Sequence, residues 1–151
     1  FTSAYIAQKE AVMDPERVQM TFEKAKGEIP EVFIDIEQVP RIFDNLLENS
    51  IKYAERLPAQ IQVRIFWENT WVVLEWKDKG PGVPEEKLPR IFDRFYRCDE
   101  ARTIKGSGVG LYIVKYIMER HGGTAEAEND DGLKIQLYFP ERSQDGEDID
   151  R

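Results

Sequence analysis

Two short glycine-rich stretches carry the chemistry in this chain: Asp78-Lys79-Gly80-Pro81-Gly82 and Gly106-Ser107-Gly108-Val109-Gly110-Leu111. Val72, Leu74, Trp76 and Asp78 share parity on one predicted strand, so three apolar side chains and one carboxylate face the same way. A carboxylate ending a core-facing stripe is costly unless something pairs with it. The exocyclic amine of adenine is a matching donor, whereas guanine presents a carbonyl there and is repelled. Gly80 and Gly82 remove side chains where backbone must approach a flat ring. The second stretch runs straight into a helix, leaving backbone N–H groups and the positive end of the helix dipole to cradle an anion. Its spacing is neither the dinucleotide fingerprint nor a P-loop, because the third glycine comes early and no Gly-Lys-Ser/Thr follows. Taken singly, the first stretch also reads as a Gly-Pro-Gly turn and the second as a flexible helix start.

A third group lies on a predicted helix. On a helical wheel, Asn45, Glu48, Asn49 and Lys52 share one face, opposite Phe43, Leu46, Leu47, Ser50 and Ala54. Asparagine supplies a neutral carbonyl oxygen suited to Mg²⁺, and an ammonium such as Lys52 meets phosphate as a point charge. An ordinary solvated helix face has the same composition. Between the glycine stretches, Arg94, Arg97, Arg102 and Lys105 concentrate positive charge beside Phe92, Phe95 and Tyr96. A long, charged, partly apolar segment suits a lid over a ligand.

The elements that must position these residues follow from periodicity. Helical patterns cover Thr2–Met13, Glu37 to about Arg56, and Val109–His121, the last stopped by Gly122-Gly123. Alternation predicts strands at Val18–Phe22, Val32–Asp35, Ile61–Trp67 and Trp71–Lys77, and a final hairpin of Thr124–Glu128 with Leu133–Phe139. Interleaved helices with adjacent hairpins predict an α+β fold: a two-layer sandwich, its mixed sheet covered by helices on one face.

Composition sets limits. The 151 residues suit one domain, expected over 1–140, with an acidic and disordered tail over 141–151. A net charge of -8 argues against nucleic acid and acidic membrane surfaces as partners. A single cysteine, Cys98, rules out an internal disulfide. No apolar run approaches the ~20 residues of a membrane span. The chain opens at Phe1 without a methionine and is expected to be a piece of a larger protein.

In this order and spacing, the motifs resemble the catalytic, ATP-binding domain of sensor histidine kinases, within the superfamily shared with gyrase, Hsp90 and MutL ATPases. Asn45–Tyr53 looks like the N box, Asp78–Gly82 the G1 box, Ile91–Arg97 the F box, and Gly106–Leu111 the G2 box. The F box is what distinguishes the kinases from the other members. The resemblance implies ATP held under a mobile lid, with Asn49 and Asn45 at Mg²⁺. It implies Lys52, Tyr53 and Arg97 at phosphates or sugar, with Asn49, Lys52 and Arg97 serving catalysis. Asp78 would take the adenine amine, with Gly80, Gly82, Val83 and Tyr96 around the nucleotide. Gly106, Ser107, Gly108, Val109, Gly110 and Leu111 would wrap the phosphates, and Phe92 and Phe95 would dock the lid. The partners implied are a histidine-containing dimerisation domain of the same parent protein and, indirectly, a response regulator receiver domain. The placement implied is cytoplasmic, with membrane anchoring of the parent usual in the family.

Val109 stands where leucine is usual and Ser50 where alanine is common. The phosphoacceptor histidine and its following acid are missing. The sole histidine, His121, reads as a helix terminus. A serine kinase or ATP-driven machine on the same fold, and a degenerate module that no longer binds nucleotide, are the alternative readings.

Overall fold

Three helices lie against one face of a five-stranded sheet in the computed structural model, which describes residues 1–94 and 110–142. In chain order the elements are α1 (Thr2–Val12), β1 (Val18–Lys24), α2 (Val39–Lys52), β2 (Ala59–Glu68), β3 (Trp71–Asp78), a 3-10 helix (Glu85–Arg90), α3 (Gly110–Arg120), β4 (Thr124–Asn129) and β5 (Leu133–Pro140). The strand order is β1-β2-β3-β5-β4. The β1–β2 pair is parallel and the other three pairs are antiparallel, so the sheet is mixed as expected.

Strand parity sets the two faces. Ile61 and Val63 of β2, Leu74 and Trp76 of β3, and Ile135 and Leu137 of β5 point into the core. They meet Ile42, Phe43, Leu46 and Leu47 of α2 and Val114, Ile117 and Met118 of α3. Each such side chain, fully buried, contributes about 1.5–3 kcal/mol. Tyr5 of α1 packs edge-on against Phe43, with ring centroids 4.9 Å apart. Its hydroxyl donates to Asp44 Oδ1 at 2.7 Å. Burial and that carboxylate together push the Tyr5 hydroxyl far above its ordinary pKa, so it stays a donor. The helix-free face carries a polar cluster, in which Glu75 accepts from Arg64 and from Gln136, both at 3.1 Å, beside the buried Val73.

Both tight turns use residues that tolerate a left-handed backbone. Asn69, with φ 57°, turns β2 into β3. Asp131 and Gly132 turn β4 into β5, and Gly132 has φ 128°.

One expected strand is absent. Residues 31–35 join no ladder. Their backbone partners come from elsewhere: Asp35 N–H donates to His121 Nε2 at 2.9 Å, and Glu31 C=O accepts from Arg142 N–H at 2.8 Å. Val32 and Ile34 pack against the core as the alternation requires, so the pattern is real but reports one-sided burial, not sheet pairing. The Asp35 carboxylate then accepts from the Glu37 and Gln38 amides, which delays α2 to Val39. Past β5, the Glu141 amide bonds Thr70 C=O, and Arg142 stacks over Phe33 at 4.7 Å.

Candidate functional site

The wheel drawn from sequence matches α2 as folded. Ile42, Phe43, Leu46, Leu47 and Ser50 are buried, while Asn45, Asn49 and Lys52 lie on the partly open face. Asn45 Nδ2 donates to Arg41 C=O at 2.8 Å, which fixes the amide and leaves Oδ1 to point away from its own helix. That oxygen faces the start of α3, where a Cβ built on Gly110 would lie 3.3 Å from it. The first residue of α3 and the amide of α2 therefore border the same space. No hydrogen bond engages the Asn49 amide among the described residues. Lys52 Nζ sits 5.1 Å from the centre of the Tyr53 ring.

Asp78 closes the site from the sheet side. The carboxylate is 8% exposed, at the end of the core-facing stripe of β3. Oδ1 accepts from Gly80 N–H at 3.0 Å and from Leu133 N–H at 3.1 Å. Among the described residues Oδ2 has only Ser50 Oγ, at 3.4 Å, and Ser50 in turn accepts from Trp76 Nε1 at 3.0 Å. Three donors on a group with about four acceptor positions leave one position on Oδ2 for a ligand. Gly80 keeps that corner open, since a Cβ there would lie 3.3 Å from both Asp78 Oδ1 and Tyr53 C=O.

Two contributors escaped the sequence. Ser50, read there only as a small residue, links Trp76 to the carboxylate. Asn129, read as part of a hairpin loop, is the last residue of β4. Its Oδ1 accepts from Val83 N–H at 2.8 Å, and its Nδ2 donates to Val83 C=O at 2.5 Å and to Glu85 Oε1 at 3.1 Å. Nothing local marks either role, because their partners lie 26 to 46 residues away in sequence.

Of the expected lid, Phe92 is partly buried against the core, with Lys115 Nζ 5.6 Å from its ring centre. Arg94 lies 5.7 Å from the centre of the Tyr112 ring. Leu111 packs on the core from the first turn of α3. Phe95, Tyr96, Arg97, Arg102, Lys105, Gly106, Ser107, Gly108 and Val109 lie outside the described residues.

His121 is held at both ring nitrogens. Its Nδ1–H donates to Ile117 C=O at 2.8 Å, and Nε2 accepts the Asp35 amide. A backbone carbonyl can only accept and a backbone amide can only donate, which sets this tautomer. Both nitrogens are thus spent on tying the end of α3 to the entry of α2, a structural role.

No cluster of three His, Cys, Asp or Glu side chains suited to a metal occurs among the described residues. The Asn45 and Asn49 amides nevertheless fit Mg²⁺, which commonly takes one or two protein oxygens and completes its shell with phosphate and water. A recess of about 300 Å³ lined by Gln19, Thr21, Gln60, Ile61, Gln62, Lys77 and Lys79 shares only Lys79 with the motif residues.

The fold is a two-layer sandwich, a mixed sheet covered on one face by helices, with Asn45 and Asn49 on the partly open face of α2 and a buried carboxylate ending β3. The chain belongs to the histidine kinase-, DNA gyrase B-, and HSP90-like ATPase family, whose sequence profile matches residues 34–143. Among relatives, it is 34% identical over 111 residues to the sensor histidine kinase WalK of Bacillus subtilis, covering 72% of this chain and 18% of that protein. It is 36% identical over 116 residues to the sensor histidine kinase YkoH of the same organism, covering 74% of this chain and 25% of that protein. The chain thus spans about a fifth to a quarter of these relatives. Among solved structures, the catalytic domain of histidine kinase ThkA superposes with a TM-score of 0.74 at 26% identity, over 92% of this chain and 89% of that one. The mycobacterial sensor histidine kinase MprB shares the fold, with a TM-score of 0.76 at 24% identity over 94% of both chains. The match is to the ATP-binding catalytic unit of these kinases.

Proposed function

We propose that this chain supplies ATP to a two-component sensor kinase and donates the γ-phosphoryl group to a histidine on a separate dimerisation domain. The observation that carries the reading is Asp78, a buried carboxylate with one acceptor position left beside a glycine-opened corner. Adenine fills that position through its exocyclic amine, while Gly82 and Val83 border the ring. Asn45 and Asn49 would hold Mg²⁺ through their amide oxygens, where a divalent ion would offset the negative charge of the triphosphate. Lys52, Tyr53 and Arg97 contact phosphate or sugar, and residues 106–111 wrap the phosphate chain.

In the transfer, an imidazole nitrogen of the acceptor forms the N–P bond as the bond to the β-phosphate oxygen breaks. ADP leaves with that electron pair. The contribution of this chain is positioning and charge stabilisation, which dominate phosphoryl transfer. The isolated chain therefore binds ATP but shows little kinase activity. Its working partners are the histidine-bearing domain and, after it, a response regulator receiver domain. The chain works on the cytoplasmic side, and none of its described helices is long and apolar enough to cross a membrane.

Asn49→Ala, in a polypeptide that also carries the histidine domain, tests the assignment. Loss of the amide oxygen is expected to lower acid-labile phosphate formation by about a hundredfold or more, as removal of one preorganised charge-stabilising group does. Phosphorylation at the wild-type rate would refute the role given to Asn49.

A further inference from the structure

We infer that Asn129 is a positioning residue for nucleotide, setting the place of the Gly82–Val83 backbone against the base. The inference rests on the ATP-binding reading and extends it to the β4–β5 hairpin. A single amide brackets Val83 at both backbone groups, as a neighbouring strand would. Among the described residues, Val83 has no other hydrogen-bond partner for its backbone. Asn129 also lies flush against Gly82, where φ is +74° and a Cβ would come within 2.6 Å of Asn129 Oδ1. Glycine at 82 is thus required by the protein side of the loop as well as by any ring on the other side.

The same hairpin holds the opposite edge of the pocket. Leu133 N–H bonds Asp78 Oδ1, and Gly132 presses on the Asp78 backbone so closely that a Cβ would lie 2.1 Å from its carbonyl oxygen. One hairpin therefore contacts both the carboxylate that reads the base edge and the backbone that borders the base. Residues 81–84, which form no helix or strand, depend on that link for their distance from Asp78.

An amide is needed because the site asks for an acceptor and a donor at once. Aspartate at 129 would keep the Val83 N–H bond but turn an oxygen toward Val83 C=O and the Glu85 carboxylate. Protonation restores the missing donor, and the adjacent carboxylate raises the pH at which this happens.

The test is calorimetric titration of wild type, Asn129→Ala and Asn129→Asp with ATP, ADP and AMP between pH 8 and pH 5, with thermal unfolding followed alongside. Wild type binds, and Asn129→Ala binds about tenfold more weakly, by a similar factor for each nucleotide because the defect is at the base end. Asn129→Asp is as weak at pH 8 and recovers most of its affinity at pH 5, relative to wild type at the same pH. If wild type binds ATP and Asn129→Ala binds it equally, the inference fails while the ATP reading stands. An Asn129→Asp defect that ignores pH would mean a general structural fault and overturn the positioning role. Absence of ATP binding by folded wild type would remove both readings.

Discussion

Asp78→Asn is expected to bind ATP about a hundredfold more weakly, roughly 2.7 kcal/mol, while remaining folded. Asparagine can keep Oδ1 toward the Gly80 and Leu133 amides, so both buried donors stay satisfied. Its Nδ2 replaces Oδ2 and finds an acceptor in Ser50 Oγ. The open acceptor position becomes a donor, which meets the adenine amine with like polarity. Guanine, with a carbonyl at that place, loses the repulsion it has in wild type. Asp78→Ala separates this effect from stability. It strands the Gly80 and Leu133 amides and is expected to cost about 2–4 kcal/mol of folding free energy. Calorimetry for binding and denaturant titration for stability check the pair. Unchanged ATP affinity in Asp78→Asn would remove the carboxylate from base recognition.

Gly132→Ala is expected to have the largest effect on folding. The residue adopts φ 128°, a conformation that side chains rarely take. A Cβ there would lie 2.1 Å from the Asp78 carbonyl oxygen and 3.1 Å from Asp78 Oδ1. Relief requires the hairpin to move away from β3, which breaks the Leu133–Asp78 bond and shifts Asn129 from Val83. The expected loss is about 3–5 kcal/mol, within the range reserved for strain at special backbone positions and broken buried networks. A shift in the denaturation midpoint equivalent to less than about 1 kcal/mol would mean that the turn is far softer than its contacts require.

The fold could be read from the sequence wherever one face of an element alone decides its neighbours. The alternation in β2, β3 and β5 and the wheel of α2 each reflect one buried side, and each element formed close to its expected bounds. The same logic failed at residues 31–35, where Val32 and Ile34 are partly buried against the core yet the segment pairs with neither edge strand. Periodicity reports burial and says nothing of pairing. Asp78 stood out because a carboxylate in an apolar stripe breaks a local pattern. Ser50 and Asn129 break none. A small polar residue on a helix and an asparagine near a turn are ordinary, and their roles exist only once β3 and the β4–β5 hairpin have come together.

The central claim is that this pocket binds ATP and chooses adenine. Titrating the wild-type chain with Mg-ATP and with Mg-GTP tests it most directly. ATP is expected to bind well below ~1 mM, the level worth about -4 kcal/mol, with no measurable heat from GTP. A folded chain that bound neither nucleotide, or both alike, would contradict it.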